Sequence, residues 1–133
     1  MIIKDIDGKT IYKLEEKNLI GANLSGLNLD YADLSDVDLR KAKLRGTSLS
    51  RSNLKCSNFM EADLSGAILY GADLSDADLC GADLRGVILC MANVSNTSFL
   101  NADINGADFT GSKIDGADFE GCEGFKNATG ISN

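Results

Sequence analysis

The chain has 133 residues, 44% of them apolar, and a formal net charge of −7. That length suits one domain, and no run approaches the 18 or so apolar residues that a membrane span needs. His, Pro and Trp are all absent, which removes the commonest general base and the commonest metal ligand and leaves catalysis without its usual means.

At the start, MIIKDIDGKT puts charges where a signal peptide would carry its apolar stretch, so a cytoplasmic address is expected. IIKDIDGKTIYKL has two apolar segments around Asp7-Gly8, the signature of a hairpin. Residues 1–21 are therefore expected to form an N-terminal cap and the entry into the repetitive body of the chain. Gly8-Lys9-Thr10 imitates the end of a phosphate-binding loop but lacks the glycine five residues before Gly8, and reads as hairpin sequence.

From Leu14 to Phe119 every fifth residue is apolar: 15 Leu, 4 Phe, 2 Ile and 1 Val. A helix turns about 100° per residue, so a step of five would smear these side chains around its cylinder. In a flat strand an odd step would put each on the side opposite to the last. What fits is a chain that turns after every five residues and points two positions inward, the central apolar residue and the one two places before it. The second of these is small almost throughout, with 12 Ala among the 20 positions from 22 to 117. Eleven of the 14 glycines stand two places after the central residue, where a corner needs permissive backbone angles. Sides centred on Leu24, Leu44, Leu64, Leu84 and Ile104 end in Gly, whereas those on Leu34, Leu54, Leu74 and Val94 end in Asp36, Cys56, Asp76 and Asn96. Every twentieth residue is alike, which predicts a coil of four sides. Beyond 121 the phase breaks in GCEGFKNATGISN; residues 122–133 are expected to be a C-terminal cap and tail, with Phe125 folded over the last coil.

The tandem A(D/N)LxG pattern, as in GADLSDADLCGADLRG at 71–86, resembles the pentapeptide repeat family over residues 22–121. The resemblance implies an all-β, right-handed quadrilateral β-helix of about five coils. At one strand spacing of about 4.8 Å per coil the rod would be roughly 24 Å long before its caps. Stability would be a sum of coil-on-coil interfaces, with the end coils the weak points.

Candidate chemistry is thin. Cys56, Cys80, Cys90 and Cys122 have no CxxC and fall on different parts of a four-sided coil, so neither a metal site, nor a cofactor, nor a disulfide is expected. A calcium-binding β-roll would show a nine-residue period instead of five. Residues 57–121 carry eleven acids against Arg85 and Lys113, a net of −9, whereas residues 1–56 net +2. Over about 16 Å of rod that density approaches the one charge per about 1.7 Å of B-DNA. Family members that act on DNA gyrase resemble a duplex, which makes Asp63, Asp83 and Asp103 a candidate column of phosphate substitutes, with Asp73, Asp78 and Asp118 on neighbouring faces. Known mimics are longer dimers joined through a C-terminal element and interrupted by a loop, and neither feature is found here. The bland reading is that Asp and Asn suit the turn and keep the rod soluble. The basic cluster Arg40, Lys41, Lys43, Arg45, Arg51 and Lys55 would spoil a duplex-like potential and is expected to pair with acids on adjacent coils, for instance Lys43 with Asp63.

Departures from consensus point elsewhere. Ile68 and Ile88 replace Asp at outward positions twenty residues apart, with Tyr70, Cys90 and Met91 beside them, and Met60, Cys80 and Leu100 form a second ladder on the opposite side. Contiguous apolar surface marks a partner site. The reading is a non-enzymatic protein-binding scaffold, a second copy being one candidate partner; the alternative is a mimic that binds a type II topoisomerase such as DNA gyrase. Direct nucleic-acid binding and membrane binding are not expected.

Overall fold

A turn every five residues needs a corner residue that reverses the chain in two peptides. In the computed structural model, which describes residues 1–131, every fifth residue from Gly21 to Gly121 has positive φ and closes a tight turn. The Leu27 N–H donates to the Leu24 carbonyl (3.3 Å), Ala32 to Leu29 (3.1 Å), and so on to Cys122 and Phe119 (3.1 Å). Positive φ at the third residue alone is the type II sense. Ten of the corners are not glycine, from Tyr31 to Asn101, with φ of 56 to 63°, so these turns form against a local preference of about 1–2 kcal/mol each.

The coils stack in parallel register, residue i on residue i+20, from Asn23 on Lys43 to Asp103 on Glu123, with Asp108 on Thr129 at the end. Three backbone bonds recur on each side. The Leu24 N–H donates to the Lys43 carbonyl (2.7 Å), Lys43 to Ala22 (2.8 Å) and Gly26 to Arg45 (3.0 Å). Four faces result, first to fourth, whose outward columns begin at Asn23, Asn28, Asp33 and Asp38 in that order.

Inside, the central residues from Leu19 to Phe109 and the small residues beside them are buried. Where the small residue is polar it finds a carbonyl: Thr47 Oγ1 donates to Leu24 (2.8 Å), Thr97 to Leu74 (2.7 Å) and Ser52 to Leu49 (2.6 Å). Toward the C-terminal end leucine gives way to phenylalanine. Phe99 and Phe119 stack at 4.9 Å, Phe109 meets both edge-on, and Phe125 sets its edge on Phe119 at 5.7 Å.

Both ends are covered in part. β1 (Ile2–Lys4) and β2 (Thr10–Lys13) form an antiparallel hairpin, turning through Gly8 with φ 86°. The chain after β1 then pairs antiparallel with the first coil: the Asp33 N–H donates to Lys4 (2.8 Å) and Ile6 to Tyr31 (2.9 Å), while Ile3 plugs the core. At the other end a 3-10 turn, Phe125–Asn127, leads into Thr129, whose N–H donates to Ala107 and whose carbonyl accepts from Phe109. The last two tail residues, 132 and 133, lie outside the described residues.

Two glycines separate conformational strain from close packing. A Cβ at Gly66 (φ 65°) would meet nothing, whereas one at Gly130 (φ 82°) would press on the Phe109 and Thr110 backbone. Gly66→Ala is expected to cost about 1 kcal/mol in denaturant melts through the left-handed turn alone. Gly130→Ala is expected to free the cap, seen as faster amide exchange at Phe109 and Thr129 than Gly66→Ala produces.

Candidate protein-interaction surfaces

Each side exposes one residue before its central apolar one, and at most of these positions an Asp or Asn works on its own turn. Its Oδ1 accepts the N–H two residues on: Ser75 to Asp73 (2.9 Å), Cys80 to Asp78 (2.9 Å), Glu120 to Asp118 (2.9 Å). That N–H is the one donor of the corner that no backbone carbonyl receives. All six acids singled out as duplex-mimicking therefore share this task, and Asp63 and Asp73 accept in addition from the hydroxyls of Ser65 and Ser75 (2.7 Å each).

Asp63, Asp83 and Asp103 do stack as one column on the first face. Arg85 lies along it, bound to both oxygens of Asp83 (2.9 and 2.6 Å) and 3.9 Å from Asp103. That bond holds the Asp83 carboxyl below the ordinary carboxylate range. Asp78 and Asp118 are on the adjoining fourth face, but Asp73 is on the third, directly opposite the column and not next to it, because ten residues are two sides. The expected Lys43–Asp63 pair is also absent, since Asp63 is turned toward Ser65. Among the described residues the ion pairs are Arg40–Asp38 (2.7 Å), Lys41–Glu61 (3.9 Å) and the two of Arg85.

Ile68 and Ile88 stack on the second face and are 38% and 37% exposed; Tyr70 (41%) and Met91 (59%) continue the patch around the next corner, with Cys90 half-buried beside them. With isoleucine in place of Asp, the N–H groups of Tyr70 and Cys90 have no side-chain acceptor of the kind the other turns use. Below the patch Arg51 donates to the Tyr31 hydroxyl (3.0 Å) and lies 5.8 Å from the centre of the Tyr70 ring. Above it Asp108 accepts from the Thr110 N–H (2.9 Å) and hydroxyl (2.6 Å), which lower its pKa to about 2. Met60, Cys80 and Leu100 stand half-buried at the diagonally opposite corner.

An open groove of about 400 Å³ between Arg45, Ser65 and Arg85 runs over Gly46 and Gly66. It was missed in the sequence, although its side-chain walls recur at intervals of twenty and its floor is glycine. Two of the thiols are poor nucleophiles: burial raises Cys90, and pushes Cys122, whose Sγ donates to the Phe99 carbonyl, up to about 11. Among the described residues no three His, Cys, Asp or Glu side chains converge on a metal site, and no helix is long and apolar enough to cross a membrane.

The family model for pentapeptide repeats matches in eight copies over residues 18–55, 57–96 and 89–121. The chain belongs to the pentapeptide repeat family. No curated protein matches it in sequence. Among solved structures it is similar to a pentapeptide repeat protein of the Arabidopsis thaliana thylakoid lumen, at 33% identity and TM-score 0.53, over 79% of this chain and 63% of that one. It thus spans less than two thirds of that relative. HetL of Nostoc sp., involved in heterocyst differentiation regulation, aligns at 26% identity and TM-score 0.53 over 90% of this chain and 76% of that one. QnrB1, a plasmid-mediated fluoroquinolone resistance protein, aligns at 21% identity and TM-score 0.45 over 83% and 63%, a likeness that carries no functional argument.

The repeat's own chemistry gives two expectations. Asp73→Ala should cost about 1 kcal/mol by removing the turn acceptor, and Asp73→Asn, which keeps the Oδ1, should cost less. Asp108 has a depressed folded pKa, so its contribution is full above the usual carboxylate range near 4 and is lost as pH falls toward about 2. Thermal melts of Asp108→Asn should therefore depend less on pH across that window.

Proposed function

We propose that this pentapeptide repeat protein is a non-enzymatic scaffold whose second face and adjoining corner, Ile68, Tyr70, Ile88, Cys90 and Met91, bind another protein. One observation carries the reading: Ile68 and Ile88 stand exposed and stacked at positions where the repeat mostly uses an Asp or Asn for its turn. A residue that forgoes that bond and adds nothing to the core has its use outside the rod. The acids with resolved shifts, Asp38, Asp83 and Asp108, all lie below the ordinary range, and the shifted thiols lie above theirs, the opposite of what a general acid or a nucleophile requires. Four thiols on separate parts of the rod suit a reducing compartment such as the cytoplasm.

The alternative, a duplex mimic that binds DNA gyrase, rests on the Asp63, Asp83 and Asp103 column. Arg85 compensates that column from within, and Asp73 is on the far side of the rod.

Ile68→Asp/Ile88→Asp separates surface from core. Because Asp is the usual residue at this position, the double variant should stay within about 1 kcal/mol of the native stability while losing a partner that the native chain captures. A large loss of stability, or capture unchanged, would overturn the reading. In a gyrase supercoiling assay the native chain should have no effect at micromolar excess; inhibition relieved by Asp83→Lys would establish the alternative.

A further inference from the structure

The corner between the fourth and first faces carries a column of side chains that lies apart from the core ladders and from the isoleucine patch. Arg40, Met60, Cys80, Leu100 and Glu120 stand one above another at intervals of twenty residues. The three in the middle are half-buried, and the two at the ends are exposed. Taken from its centre the column is self-complementary: a thiol, an apolar residue on either side, then a base at one end and an acid at the other. In the column beside it, Gly81 has no side chain of its own, and the Glu61 side chain of the neighbouring coil lies against it.

We propose that a second copy of the chain docks along this corner, antiparallel, about a two-fold axis at Cys80. Met60 then lies on Leu100 of the second copy, Arg40 faces its Glu120, and the two Cys80 thiols meet at the axis. Charge selects both the occupant and its direction. Parallel copies would set Arg40 on Arg40 and Glu120 on Glu120, whereas antiparallel ones pair opposite signs. The whole rod is polarised in the same sense, with residues 1–56 at net +2 and residues 57–121 at −9. From Arg40 to Glu120 is four coil steps, about 19 Å. A strip of that length falls short of the roughly 800 Å² per partner of a stable complex, so the dimer is weak and salt-sensitive.

The test uses the whole chain. A short bis-maleimide, which adds to thiols without an oxidant, should trap a dimer that Cys80→Ser abolishes and that Cys56→Ser and Cys90→Ser leave intact. In sedimentation equilibrium, Arg40→Glu and Glu120→Arg should each weaken self-association by about tenfold, and the combined swap should restore it. Since Arg40 also binds Asp38, a thermal melt of each variant checks its fold, and cross-linking of the native chain stands independent of them. A native chain that stays monomeric at about 1 mM, a dimer trapped through Cys56 or Cys90, or a combined swap no better than either single change would each overturn the proposal. The partner-binding patch at Ile68 and Ile88 lies on the other side of the rod and would be unaffected.

Discussion

The fold depends on one repeated event: a left-handed corner residue that turns the chain and at the same time gives its N–H to the coil above. The Gly26 N–H reaches Arg45, and one turn of the coil later Gly46 reaches Ser65. The bond within the turn fixes the angle of the corner, and the bond between coils fixes the register. Together they leave the two inward positions no freedom of direction. Leucine at one and alanine at the other follow from the space inside a four-sided coil, as the buried ladder from Leu19 to Phe109 shows. A single coil could bury neither, which is why the corners tolerate ten non-glycine residues: neighbouring coils hold them in a conformation they would not choose alone.

The same arrangement divides the molecule into an inside that repeats from side to side and an outside that varies along the chain. Outward Asp and Asn belong to the repeating part, because their Oδ1 completes the turn. Function is then sought in what the turns do not use, at Ile68 and Ile88, which forgo that bond, and in the side chains of the corner that holds Cys80. Charge follows the same division. Arg85 and Asp83 satisfy each other on the surface, so the formal −9 of residues 57–121 is not presented as one uninterrupted strip.

Much of the fold was legible in the sequence because a period of five excludes helix and flat strand, and the difference between Gly-ending and Asp-ending sides repeats at twenty. The outward setting of Ile68 and Ile88 came from the same counting, and the hairpin from its Asp7-Gly8 turn. Long side chains escaped it. Periodicity places the Cα of Lys43 beneath that of Asp63, yet whether they meet depends on a competing hydroxyl at Ser65. Nor could it show Arg51 lodged between the Tyr31 hydroxyl and the Tyr70 ring, or Met91 leaning toward the corner of Gly111. The opposite placement of Asp73 and Asp83 was available from arithmetic alone, since ten residues are two sides.

The constant register has a kinetic meaning. Nearly every bond between coils joins residues 19 to 21 apart, from Leu24 and Lys43 to Ile104 and Glu123. The first coil laid on another must close a loop of that length without help, and this is the slow step. Each later side extends a ladder that already exists, so the entropy of closure is met once and growth becomes a zipper. A chain emerging from the ribosome would need about forty residues, two coils, before it could begin. The N-terminal hairpin, made first and already docked on the Tyr31 to Asp33 edge, gives that zipper its starting tooth.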